Sequence, residues 1–196
     1  MPGQLSLFGG DPVPDLPEGL AYRAELIDAA EERALAERMA ELPFRAFQFQ
    51  GFLGHRRTVS YGLHYAFDGG GLKDAEPMPD WLLPFRDRAA AWAGLAGDAL
   101  AHVLLTEYAP GAAIGWHRDR PVFGDVVGLS LLAPARLRFR RKAAEKWERK
   151  ALLAEPRSAY LLRGPARDEW QHSIAAMESL RYSITFRSLR AGVRPA

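Results

Sequence analysis

His117 and Asp119 stand two positions apart in GWHRDRP, residues 115–121. Along an extended strand the side chains i and i+2 leave the same face, so this imidazole and this carboxylate reach one small volume. That arrangement suits two ligands of one metal ion, or else a polar turn at the surface. The chain has five histidines and no cysteine. Disulfides, thiolate zinc sites, iron–sulfur clusters and cysteine nucleophiles are therefore excluded, and any metal must be held by His, Asp and Glu. Among the other histidines, His55 sits beside Arg56 and Arg57 in a stretch that reads as a loop, and His64 lies among aromatics in a strand. His102 opens a strand, where burial or capping accounts for it. His172, in RDEWQHSI, remains as the best third ligand. Two imidazoles and one carboxylate leave coordination positions open, which suits non-haem Fe(II) that must also bind a co-substrate and dioxygen.

An anionic co-substrate needs cations, and LRYSITFRS, residues 180–188, supplies them. Counting by two, Arg181, Ser183, Thr185 and Arg187 share one face of a strand, and Tyr182, Ile184 and Phe186 share the other. With the apolar face in the core, two arginines on the inner side of the sheet would be costly to bury without anions, and a dicarboxylate satisfies both. On an edge strand they would simply face water. In HVLLTEY, residues 102–108, Thr106 and Tyr108 share a face by the same rule, and the Tyr108 hydroxyl can donate to a carboxylate or wet its tip at the surface.

These residues need elements to carry them. Asp28 and Glu31 make a capping-box pattern for a helix over 28–42 that Pro43 stops. Residues 46–67 read as strands, and 81–97 as a second helix. Short apolar runs follow at 102–108, 126–132, 136–141, 158–163, 170–175 and 181–187, spaced as in an all-β sandwich or barrel. The fold expected is mainly β with some α, helices packed on an antiparallel jelly roll. Residues 1–19, rich in Gly and Pro, read as a mobile tail, and 20–196 as one domain.

With 196 residues, 48% of them hydrophobic, the chain is long enough for one real core. No apolar run reaches the roughly 18 residues of a membrane span, and no secretory signal pattern opens the chain, so a cytoplasmic protein without a membrane partner is expected. The net charge of +2 conceals a division: residues 1–98 carry 9 basic and 15 acidic side chains, residues 99–196 carry 17 and 9. Arginine supplies 22 of the 26 cations. Such a balance fits an anionic partner or a solvated charged surface.

Taken together, TEYAPGAAIGWHRD, RDEWQHSI and RYSITFR, in that order, resemble the AlkB family of Fe(II)- and 2-oxoglutarate-dependent dioxygenases, over roughly residues 56–188. The resemblance implies a double-stranded β-helix core over 101–190, with N-terminal helices and a nucleotide-recognition lid over 20–100. It implies His117, Asp119 and His172 as iron ligands. It pairs Arg181, helped by Tyr108, with the distal carboxylate of 2-oxoglutarate, and sets Arg187 nearer the carboxylate that chelates iron. Thr106 and Ser183 stand where asparagine is frequent in the family, yet each keeps a hydroxyl able to hydrogen-bond the co-substrate. The interval from His172 to Arg181 is short for the family. The implied chemistry is oxidative demethylation: iron, dioxygen and 2-oxoglutarate yield succinate and carbon dioxide, and an N-linked methyl group leaves as formaldehyde.

For alkylated DNA, or RNA, the target base must leave its stack and enter a pocket beside the metal. FQFQGFLGHRRTVSYGLHYAF, residues 47–67, resembles the family's lid and supplies Phe52, Arg56, Arg57, Tyr61 and Tyr65 at the pocket entry, with Tyr61, Tyr65 and Arg57 as the substrate contacts, while Trp116 would help wall the pocket. ARLRFRRKAAEKWERK, residues 135–150, reads as a strand running into a charged turn, eight Arg or Lys against two Glu. It fits phosphate contacts or a solvated hairpin. In the tail, QLSLF resembles the peptide by which bacterial repair proteins dock on the polymerase sliding clamp, with Gln4, Leu5, Leu7 and Phe8 as the contacts; the alternative is a segment folded back on its own domain. A monomer is expected. Two other functions stay open: the same chemistry on transfer RNA or a methylated lysine, and a non-catalytic adaptor, which would have no need of a full ligand set.

Overall fold

The computed structural model describes residues 15–49, 52–66 and 71–193, and only the backbone of 47–49, 52–54, 64–66 and 71–74. Gln4, Leu5, Leu7 and Phe8 lie outside the described residues, as does the side chain of Tyr65. Eight strands form a double-stranded β-helix, entering its two sheets in the order of a jelly roll. The larger sheet holds β6 (His102–Tyr108), β8 (Phe123–Leu131), β11 (Ala159–Leu162) and β13 (Arg181–Leu189). It is extended at its edges by β1 (Leu20–Arg23) beside β11, and by β3 (Phe52–Tyr61) and β2 (Arg45–Phe49) beside β6. The smaller sheet is β10 (Lys146–Ala154), β9 (Ala135–Ala143), β12 (Gln171–Ile174) and β7 (Ile114–His117). A separate two-stranded ribbon pairs β4 (Leu63–Ala66) with β5 (Gly71–Asp74).

Strand alternation explains the layering. Tyr182, Ile184 and Phe186 of β13, Val103 and Leu105 of β6, and Val127, Leu129 and Leu131 of β8 pack with Leu35 and Met39 of helix α1 (Ala29–Ala40) and Ala89, Ala90 and Ala93 of helix α2 (Leu83–Ala93). On the opposite face, Tyr108, Val126, Tyr160 and Leu162 pack toward Leu137, Phe139 and Ile174 of the smaller sheet. The first cluster runs from Leu26 to Phe186, so the segment before residue 100 and the β-helix share one core.

Local signals fix the helix ends. Asp28 accepts from the amides of Ala30 and Glu31 at 2.8 Å while Glu31 accepts from the Asp28 amide at 3.0 Å, a reciprocal cap worth about 1 kcal/mol. The second helix is shorter than the expected 81–97. Gly94 adopts a left-handed φ of 68° and its amide bonds back to the last turn, so α2 stops at Ala93. In the charged stretch 135–150 the strand β9 does run into a turn, at Ala144 and Glu145, and the chain returns as a second nine-residue strand, β10, to make a hairpin. The tail boundary also shifts. Asp15 accepts from Lys150 Nζ at 2.6 Å and Leu16 packs on the second cluster, so the segment from residue 15 to 19 is docked. Among the described residues no helix is long and apolar enough to cross a membrane.

Candidate metal centre and active site

The ladder between β7 and β12 puts His117 directly opposite His172, with ring centroids 4.2 Å apart. Asp119 lies just past the end of β7, and one ligand atom from each of the three side chains falls within 4.8 Å of the others. The His117 Nδ1 sits 2.9 Å from the Gly115 carbonyl oxygen. A carbonyl only accepts, so this contact assigns the proton to Nδ1 and leaves the Nε2 lone pair for a metal. Burial, only partly offset by Asp119, lowers the His117 pKa. Burial and then the neighbouring His117 push His172 down to about 3. Both rings are therefore neutral near pH 7, the state in which imidazole ligates. Burial alone would raise the Asp119 pKa, but Arg187, His172 and His117 together outweigh it and hold the carboxyl well below the usual carboxylate range.

These three groups line a cavity of about 1020 Å³ between the two sheets. Thr106, Tyr108, Ser183, Thr185 and Arg187 line it from the larger sheet, and Trp116 lines it from the smaller. Arg187 Nη2 donates to Asp119 Oδ1 at 3.1 Å. Arg181 is fully buried. Its Nε donates to Ser130 Oγ at 3.1 Å, its guanidinium carbon lies 5.0 Å from the Tyr108 ring centroid, and among the described residues its Nη1 and Nη2 have no partner. Two orphaned guanidinium nitrogens in a protein interior are expensive unless an anion meets them. A metal held by the three-group cluster and a carboxylate on Arg181 fit what these residues offer.

The expected site residues divide by sheet face. His117, Asp119, His172, Thr106, Tyr108, Ser183, Arg187 and Trp116 converge on the cavity, and Arg181 opposes Tyr108 in the ladder. Tyr61 and Arg57 do not. Tyr61 is buried in the helix-side core, and Arg57 forks onto Glu107 at 2.7 and 2.8 Å on that same face. One residue of register separates the two sets: Arg56, Thr58 and Ser60 take the cavity face of β3. The signal was present, because Val59 and Tyr61 are the apolar members of that alternation. His55 lies in strand β3 and not in a loop.

Three further contributors have weaker sequence signals. Tyr160 lines the cavity over Gly128, where an added Cβ would lie 2.1 Å from the Tyr160 Cζ. Ser130 becomes a partner of Arg181 only through the β8–β13 pairing. Arg167, buried in helix α3 (Gly164–Asp168), donates to the carbonyls of Gly124, Arg120 and Phe123 at 3.0, 2.7 and 2.8 Å, tying down the segment that follows Asp119.

Residues 21–187 match the 2OG-Fe(II) oxygenase superfamily, and the chain belongs to it. Within that superfamily its likeness is to the AlkB homologues. It is 31% identical over 121 residues to "Probable RNA/DNA demethylase ALKBH6" of Danio rerio, covering 59% of this chain and 47% of that protein. It is 28% identical over 146 residues to "Alkylated DNA repair protein ALKBH8 homolog" of Arabidopsis thaliana, covering 62% and 42%. The chain thus spans less than half the length of these relatives. Its fold is similar to "The structure of OsALKBH1", TM-score 0.64 at 13% identity over 88% of this chain and 99% of that one. A prolyl-4-hydroxylase of Pseudomonas putida is similar too, TM-score 0.61 at 14% identity over 88% and 93%.

Proposed function

We propose that this chain is an Fe(II)- and 2-oxoglutarate-dependent dioxygenase that demethylates N-alkylated bases in DNA, with RNA as the alternative polynucleotide. The observation that carries the reading is the His117, Asp119 and His172 cluster opening into the same cavity as Arg187. His117, Asp119 and His172 would hold the iron. When bound, iron with dioxygen and 2-oxoglutarate supplies the oxidation of an N-methyl group, which leaves as formaldehyde beside succinate and carbon dioxide.

The protein's own residues act by binding and orientation. Arg187 keeps the Asp119 carboxylate ionised and fixed. Arg181 offers Nη1 and Nη2 to the far carboxylate of 2-oxoglutarate, and Ser130 holds that guanidinium from its other side. The hydroxyls of Thr106, Tyr108 and Ser183 complete the polar wall, while Leu104, Val126, Leu137, Leu162 and Ile174 keep the rest of the cavity apolar. Trp116 and Arg56 flank the space left for a base. The names of the two curated relatives, an RNA/DNA demethylase and an alkylated-DNA repair protein, favour a nucleic-acid substrate. QLSLF at residues 4–8 supports docking on a bacterial sliding clamp, which favours DNA.

The test is formaldehyde and succinate release, with Fe(II) and 2-oxoglutarate, across methylated DNA, methylated RNA and methyl-lysine peptides. Release from DNA or RNA alone is expected. Release from peptide alone would replace the substrate class, and no release from any would leave the adaptor reading.

A further inference from the structure

The outer face of the smaller sheet carries a row of cations and indoles that the chemistry inside the cavity does not use. Arg136, Arg138 and Arg140 alternate outward along β9, and Arg149 stands directly across from Arg140 on β10. Arg140 lies between two indoles, its guanidinium carbon 4.4 Å from the Trp116 ring centroid and 4.5 Å from that of Trp147. Arg138 also lies over Trp116, at 5.3 Å. Cross-strand like charges such as Arg140 and Arg149 repel. Even so, among the described residues none of these four arginines has a carboxylate partner. Arg138 and Arg140 use only Nε, to Ser173 Oγ at 3.0 Å and to Gln171 Oε1 at 2.8 Å. Of the nearby acids, Glu148 and Glu169 pair with Arg141 and Asp168 with Arg190, while Glu145 stands in the turn that closes the hairpin. Trp147 is 42% exposed.

Trp116 belongs to both surfaces. It lines the cavity, and from its ring the row passes over Arg140 to Trp147, beside a shallow depression of about 410 Å³ whose lining joins Arg118, Arg140, Lys142 and Trp147 to the paired acids Asp168 and Glu169. An unneutralised guanidinium row interleaved with flat rings is the chemistry that takes phosphates and unstacked bases together.

We propose that this face binds the sugar–phosphate strand of single-stranded nucleic acid, holding the nucleotides that flank a base lodged in the cavity. The inference rests on the nucleic-acid reading of the site. It makes the smaller sheet a track that leads from Trp147 to the cavity lip at Trp116, independent of base sequence.

The test is fluorescence anisotropy of the full chain with a short, labelled, unmethylated single-stranded DNA over a series of salt concentrations. The triple variant R138A/R140A/R149A should bind about 10-fold more weakly or worse, with the slope of log affinity against log salt reduced by about 2, since each phosphate contact contributes about 0.7. W147A should weaken binding and leave that slope unaltered. Unchanged thermal melting of both variants checks their folds, and unaltered affinity in the triple variant would overturn the proposal. So would wild-type binding to poly-glutamate but not to DNA, which would make the partner an acidic polypeptide. Binding of unmethylated DNA needs neither iron nor turnover. Intact, variant-sensitive binding without demethylation would therefore sink the functional reading alone, and demethylation with binding indifferent to the triple variant would sink this inference alone.

Discussion

Arg187 and Asp119 form an ion pair of 3.1 Å across 68 residues of sequence, with both side chains 9% exposed. The pair joins the last strand of the larger sheet to the segment that carries the carboxylate of the His117, Asp119 and His172 cluster. Breaking a buried pair from one side leaves an uncompensated charge, which costs on the order of 3 kcal/mol. Arg187→Ala should lose stability of that order in urea without metal. Anaerobic Fe(II) should restore part of it, because the ion takes over the neutralisation of Asp119. Equal loss with and without Fe(II) would separate Asp119 from the metal.

Arg181 makes the opposite case. Among the described residues its terminal nitrogens are unsatisfied, so Arg181→Met removes a buried charge held only by Ser130 and the Tyr108 ring until an anion arrives. Unfolding of the unliganded protein should change by less than about 1 kcal/mol, or rise. The affinity for 2-oxoglutarate, read by calorimetry, should fall roughly 100-fold or more, the loss of two charged hydrogen bonds. Retained affinity would take Arg181 out of the co-substrate site.

Gly128→Ala tests the seat of Tyr160. The new methyl would meet the phenol ring at 2.1 Å, and a well-packed interior accommodates that only by moving. A loss of about 1–3 kcal/mol in urea is expected, with weaker 2-oxoglutarate binding as the ring shifts in the cavity. Wild-type values for both would mean that Tyr160 is free to swing away.

Arg167 lines the cavity wall and ties three carbonyls behind Asp119. Arg167→Met should raise the Fe(II) dissociation constant more than it raises the 2-oxoglutarate constant measured with Arg181 intact, since it loosens one ligand's segment and leaves β13 in place. Equal effects on both would indicate general unfolding of the cavity wall.

What the sequence made legible follows from period and chemistry. The strand β13 shows its two faces by simple alternation, and the fully apolar outer set Tyr182, Ile184 and Phe186 leaves no choice of side. The His117 and Asp119 spacing works for the same reason, even though Asp119 lies two residues past the end of the strand. In β3 the apolar alternation of Val59 and Tyr61 turns Arg57 to the helix-side core and leaves Arg56 for the cavity, although each face also carries polar residues. Ser130 and Tyr160 depend on which strands neighbour one another, which no local pattern states. The strand β10 is dense in charge, and only its partner β9 makes it a strand.

The most direct measurement is anaerobic equilibrium binding of Fe(II) to the folded chain in the presence of 2-oxoglutarate. One ion per chain is expected, lost in both His117→Ala and His172→Ala while their thermal melting without metal is kept. Undiminished binding of one ion by both variants would contradict the assignment of that centre.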